Sequence, residues 1–177
     1  MEICVFCSAN DLAPQYVEAA REVGRWIGRE GHTLVYGGAA LGLMEVVARA
    51  AREAGARVVG VVPAILERTG RASDCADVRL LCDSLDDRKK LMADRSDLFV
   101  ALPGGVGTLD EVFTVAAAAS IGYHRKRVVL YNVDGFWDSL LALLADLKAK
   151  GVMRDGLDRS LPVATSIDEL QRIASEG

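Results

Sequence analysis

Residues 98–102, Leu-Phe-Val-Ala-Leu, form a continuous apolar run closed by Pro103, and Gly104, Gly105 and Gly107 follow at once. A run this short, bounded by Asp97 and a proline, reads as a strand buried on both faces. From Thr108 onward Leu109, Val112, Phe113 and Ala116 recur at helical spacing. This order of strand, glycine turn and helix constrains the chain more than any other feature. Glycines let backbone N–H groups face a ligand without side chains in the way, and a helix start adds free N–H groups and partial positive charge. The combination suits a phosphate or another anion. The same residues admit a structural reading, because Thr108-x-x-Glu111 is the pattern of a capping box. A cap alone, however, does not need three glycines.

The rest of the chain repeats the alternation. Strands are expected over residues 2–7, 32–36, 57–62, 78–82, 98–102 and 127–131, with a last short one at 161–164. Helical patterns fill the intervals: 15–30, a segment after Gly42 closed by Gly55, a short piece to about Glu67, 84–95, the helix opening at Thr108, about 136–150, and a terminal helix from Ser166. Residues 151–160 read as a loose connection. No repeat or low-complexity linker interrupts the pattern, and 177 residues fit one domain with a sizeable core. The fold class is α/β: a Rossmann-like, doubly wound parallel sheet in three α/β/α layers, a single domain over 1–177. Ligands of such sheets bind at the carboxyl ends of the strands. Two glycine clusters fall there, Gly37-Gly38 and 104–107. The turn after the first strand, Ser8-Ala-Asn10, has no glycine, so the usual dinucleotide pose is disfavoured and a mononucleotide is more natural.

Charge narrows the partners. The net charge is −4 with no basic run, which argues against a nucleic-acid polymer. The first residues run straight into a strand pattern without a basic leader, and no apolar run reaches a membrane span, so a cytoplasmic protein away from membranes is expected. Of the four cysteines, Cys4 and Cys7 lie three apart in a strand and so point to opposite faces, as buried thiols and not a metal or redox pair. A second constellation opens the helix at Ser84: Arg88, Lys89 and Lys90 sit where cations are electrostatically misplaced, which suggests that an anion joins them. The alternative is that Ser84, Asp86 and Asp87 cap the helix and the bases are solvated.

Pro103-Gly-Gly-Val-Gly-Thr-Leu-Asp-Glu111 resembles the PGGxGTxxE signature of the LOG ("lonely guy") proteins, cytokinin riboside 5′-monophosphate phosphoribohydrolases often mislabelled lysine decarboxylases. Arg88-Lys89 falls on that family's Arg-Lys pair, 23 residues before the glutamate. The likeness extends to Tyr36-Gly-Gly38, Gly42-Leu-Met44, Ser96-Asp97, Asn132-Val-Asp-Gly135 and Gly151-Val-Met153, roughly residues 2–155 in all. Departures are Ala39 for a third glycine, Glu45 for a glycine after Gly42-Leu-Met44, Gly70 near a family glutamate whose nearest substitute is Glu67, Leu85-Asp86-Asp87 before Arg88, and Asp110 for a glutamate. They put substrate identity in question more than fold.

The resemblance implies hydrolysis of the N-glycosidic bond of a nucleoside 5′-monophosphate, AMP or an N6-modified AMP, to free base and ribose 5-phosphate. It implies Arg88 and Glu111 as catalytic residues. It implies a substrate-binding set of Gly37, Gly38, Met44, Lys89, Gly104, Gly105, Val106, Gly107, Thr108 and Asp110. No cofactor or metal is required, and His32 and His124 are expected to be surface or structural residues. A homodimer is expected from the likeness and from the small-residue stretch Ala116-Ala-Ala-Ala-Ser120. The competing reading is a non-catalytic carrier of a nucleotide or of a phosphorylated cofactor such as molybdenum cofactor. Lysine decarboxylation would need a Schiff-base lysine in an apolar segment, and the sequence has none.

Overall fold

The apolar runs become the strands of one parallel sheet. The structure, a computed structural model, describes residues 1–153 and 156–176. Strands β1 (Glu2–Phe6), β2 (Thr33–Tyr36), β3 (Arg57–Pro63), β4 (Val78–Cys82), β5 (Leu98–Ala101), β6 (Val128–Tyr131) and β7 (Val163–Ala164) lie in the order β4-β3-β2-β1-β5-β6-β7. Every pairing between these strands is parallel. The residues of β5 and β6 are all buried, as unbroken apolar runs require when helices cover both faces.

Helices α1 (Pro14–Arg29), α2 (Gly42–Glu53) and α8 (Ile167–Ser175) pack one face around Val23, Ile27, Leu43, Val47 and Leu170. Helices α4 (Leu85–Arg95), α5 (Val106–Ser120) and α6 (Asp138–Ala149) cover the other, around Met92, Val112, Val115 and Trp137. The short α3 (Ala64–Arg68) and α7 (Leu157–Ser160) complete the described helices longer than one 3-10 turn. Cys4 and Cys7 enter different faces of the sheet, both free and buried, as strand alternation demands.

Some boundaries move for identifiable reasons. The helix expected from about 136 begins at Asp138, because the Asn132 side chain organises its approach. Its carbonyl accepts the Trp137 N–H at 2.7 Å and its amide donates to Asp138 at 2.8 Å. Part of the expected loose connection is the α7 turn, while residues 154 and 155 lie outside the described residues.

The strand order reverses at β1, which pairs with β2 on one side and β5 on the other. The loops leaving β1 and β5 are tied together: Leu102 N–H donates to Phe6 O at 2.9 Å and Ser8 N–H to Pro103 O at 3.0 Å. The two glycine turns therefore flank the switch point of the sheet, where a doubly wound fold opens its crevice.

Candidate active site

The glycine turn and α5 differ from the sequence expectation in one decisive respect. The helix begins at Val106, not Thr108, with Gly105 as N-cap and no side-chain cap bond. Thr108 and Glu111 therefore lie inside the helix, and the capping box does not form. Its structural explanation for Glu111 falls away. Thr108 is buried with its hydroxyl tight against Gly104, where a Cβ would come within 2.0 Å of Thr108 Oγ1. At Gly105 and Gly107 a Cβ would meet no protein atom within 4 Å, and neither residue has positive φ. Internal packing among the described residues does not require glycine at these two positions, and the absence of a side chain leaves the backbone there open to close approach. Val106 is exposed beside them.

Arg88 reaches this turn from α4. Ser84 caps α4, accepting from Asp87 N–H at 3.0 Å. That cap is the structural alternative the sequence allowed, but it leaves Arg88 free to turn inward. The guanidinium is 12% exposed and sits 3.8 Å from a carboxylate oxygen of Glu111. It rests directly on Gly37, where a Cβ would lie 1.6 Å from Nη2. Glycine at 37 is thus a requirement of the arginine and not of the turn. The Met44 methyl stands on the same spot, 3.3 Å from that Cβ position. Gly38 does need its backbone freedom, with φ +72 and Val62 pressed behind it.

Glu111 is 6% exposed, and burial raises its pKa from 4.5 to about 7. Arg88 opposes that rise, Asp110 adds to it and Lys89 again opposes it. Desolvation outweighs the nearby guanidinium because the pair, at 3.8 Å, is not in hydrogen-bond contact. The result is a carboxyl group poised between its two forms near neutral pH, the range in which acid–base and charge-stabilising roles are efficient.

The remaining cations divide. Lys89 bonds Asp110 at 2.9 Å and Asp86 at 3.3 Å, which buttresses α4 against α5 next to the turn. Lys90 pairs with Asp94 along α4 and takes no part, contrary to the expectation of a three-cation cluster. Glu67 pairs with Arg79 at 3.4 Å. His32 stacks edge-on to Trp26, and His124 accepts from the Lys126 N–H at 3.2 Å. Sequence reasoning missed the residues that hold the turns in place. Trp137 donates its indole N–H to Ala101 O at the end of β5, at 3.1 Å, and Ser73 N–H donates to Gly38 O at 2.8 Å. A buried Trp so placed carries no local sequence signal.

The sequence profile of a family described as "Possible lysine decarboxylase" matches residues 44–173. A probable cytokinin riboside 5′-monophosphate phosphoribohydrolase of Oryza sativa subsp. japonica is 47% identical over 153 residues, covering 84% of this chain and 66% of that relative. A cytokinin riboside 5′-monophosphate phosphoribohydrolase of Mycobacterium marinum is 38% identical over 173 residues, covering 97% and 92%. The chain belongs to the LOG family. Among solved structures, the molybdenum cofactor carrier protein of Chlamydomonas reinhardtii superposes on this LOG chain with a TM-score of 0.74 at 27% identity, covering 99% and 96%. A Schiff-base lysine must lose its proton readily, and neither Lys89 nor Lys90 suits that role, because the hydrogen bond to Asp110 raises the pKa of Lys89 and that to Asp94 raises the pKa of Lys90.

The titration of Glu111 predicts a stability signature. Between the unfolded pKa near 4.5 and the folded value of about 7, the native state holds a proton that the unfolded state has lost, so stability falls as pH rises through that window and levels off above it. The loss amounts to up to about 3 kcal/mol. Glu111→Gln has no proton to lose. Urea unfolding at pH 5 and pH 8 should move in favour of the variant by about 1–3 kcal/mol at the higher pH. Parallel pH profiles would show that Glu111 titrates normally.

Proposed function

We propose that the chain hydrolyses the N-glycosidic bond of a nucleoside 5′-monophosphate, AMP or an N6-modified AMP, with Glu111 and Arg88 as the catalytic pair. One observation carries the reading. A buried carboxyl group with a pKa of about 7 lies 3.8 Å from a largely but not fully buried guanidinium, within two turns of a glycine-lined helix N-terminus open to a ligand. The names of the relatives, phosphoribohydrolases of cytokinin riboside monophosphates, fit this chemistry.

The 5′-phosphate docks at 104–108, where the backbone N–H groups of Gly105, Val106 and Gly107 at the start of α5 meet the anion. The flanking Lys89–Asp110 pair keeps α4 in register with α5. Gly37, Gly38 and Met44 form the opposite wall under Arg88. Cleavage of the C1′–N bond passes through an oxocarbenium-like state, whose positive charge an ionised Glu111 stabilises while orienting a water. The water oxygen bonds to C1′ as the C1′–N bond breaks, one water proton passes to Glu111, and Glu111 returns it through solvent to the nitrogen of the departing base, which leaves the carboxylate ionised again. Arg88, held across Gly37, holds the sugar hydroxyls or the departing base. The reaction needs no metal and no cofactor.

A homodimer is part of the same reading. Val106 and Phe113 are exposed along α5, seven residues apart and so on one face, and a second copy of the chain is the occupant that suits them. No described helix is long and apolar enough to cross a membrane. A carrier role, favoured by the likeness to the Chlamydomonas reinhardtii protein, leaves Glu111 with nothing to do.

The test is a panel of nucleoside monophosphates and their nucleosides, with free base measured by chromatography on protein sized by light scattering. AMP or its N6-prenylated form should release base while adenosine should not, from a species of twice the chain mass. Equal release from adenosine would contradict the phosphate cradle, binding without release would favour the carrier, and a monomer would remove the dimer.

A further inference from the structure

Glu45, which stands after Gly42-Leu-Met44 in α2, is turned inward with its side chain 17% exposed. Its carboxylate accepts the Ser73 hydroxyl at 2.6 Å and Arg49 Nε at 2.7 Å, with Cys75 Sγ at 3.5 Å. Ser73 is 1% exposed, and its hydroxyl oxygen also accepts the Cys75 N–H at 3.1 Å. Arg79 donates to the Ser73 carbonyl at 3.0 Å. The loop carrying Ser73 lies along the second glycine turn: Ser73 N–H donates to Gly38 O at 2.8 Å, Ala40 N–H to Arg71 O at 2.9 Å, and Ala39 forms an antiparallel bridge with Ala72. A single carboxylate on α2 thereby anchors the middle of the loop that clamps residues 37–40.

That turn is the surface on which Arg88 lies. Gly38 cannot recede, because Val62 stands behind it, and Gly37 is in van der Waals contact with the guanidinium. Movement of the turn by a few tenths of an ångström is transmitted to Arg88, and small misplacements of a catalytic group are costly to turnover. A role confined to the Arg49 pair would matter little, since Arg49 is 66% exposed. We propose that Glu45 is a positioning residue for Arg88, acting through Ser73 and the Gly37-Gly38 turn. Its kinetic consequence rests on the phosphoribohydrolase reading, and its structural consequence does not.

Two readouts on the full chain test this: base release from AMP, and the NMR signal of Arg88 Nε–H, a buried group with no hydrogen-bond partner among the described residues. Glu45→Ala should lower kcat at least fivefold with KM within twofold, and displace the Arg88 signal. Glu45→Gln, which keeps an acceptor for Ser73, should restore both, and Ser73→Ala should reproduce the loss. Added to Arg88→Lys, Glu45→Ala should cost no further kcat, because the residue it positions is already altered. An unmoved Arg88 signal with kcat within twofold of wild type would overturn the proposal, as would a full-sized loss in the Arg88→Lys background. A wild-type chain that releases no base from any monophosphate would instead contradict the phosphoribohydrolase reading. The Arg88 signal would then decide the positioning claim alone, displacement upholding it and constancy overturning it.

Discussion

Burial of Glu111 beside Arg88 is the constraint to which the rest of the site answers. A carboxyl group at 6% exposure, 3.8 Å from its counter-charge, is not held there for stability, because desolvation raises its pKa despite the arginine. The surrounding fold is arranged to keep it there. Leucines, valines and aromatic residues on both faces of the sheet supply the stability that the site gives up. The loops after β1 and β5 are tied through Ser8 and Pro103, so α5 enters the crevice at a fixed place.

Glycines serve the site in different ways. Gly37 makes room for a guanidinium and Gly104 for a threonine hydroxyl, both contacts within the protein. Gly105 and Gly107 make room for nothing the chain itself contains. That contrast separates glycines fixed by internal contacts from glycines whose backbone at the start of α5 stays open, as the proposed phosphate site requires. The acidic residues near the two turns are also not equivalent. Asp86 and Asp87 are absorbed into the Lys89 pair and the Ser84 cap, whereas Glu45 joins a buried polar cluster against the opposite glycine turn.

Much of this was legible in the sequence. The strand and helix alternation, the parallel sheet and the two glycine turns follow from periodicity and punctuation, which are local signals. The function of Glu111 was ambiguous because Thr108-x-x-Glu111 also spells a cap. The capping reading is removed by the helix starting at Val106, two residues early, a boundary shift of the size that local pattern cannot fix. Lys90 looked like part of a cationic cluster because it adjoins Arg88 and Lys89, yet successive residues of a helix face different ways, and its partner is Asp94. The indole bond from Trp137 to Ala101 and the bond from Ser73 to Gly38 join residues 36 and 35 positions apart. Contacts of that span depend on the folded sheet and leave no mark in a single sequence.

The central claim is that Glu111 acts on the substrate, and the turnover of Glu111→Gln measures it most directly. The carboxamide preserves size and hydrogen-bonding capacity but cannot carry the negative charge that an oxocarbenium-like state requires. The account predicts a folded variant that binds AMP and releases base at least about 10²-fold more slowly than wild type. Near-normal release of adenine from a folded Glu111→Gln protein would contradict it.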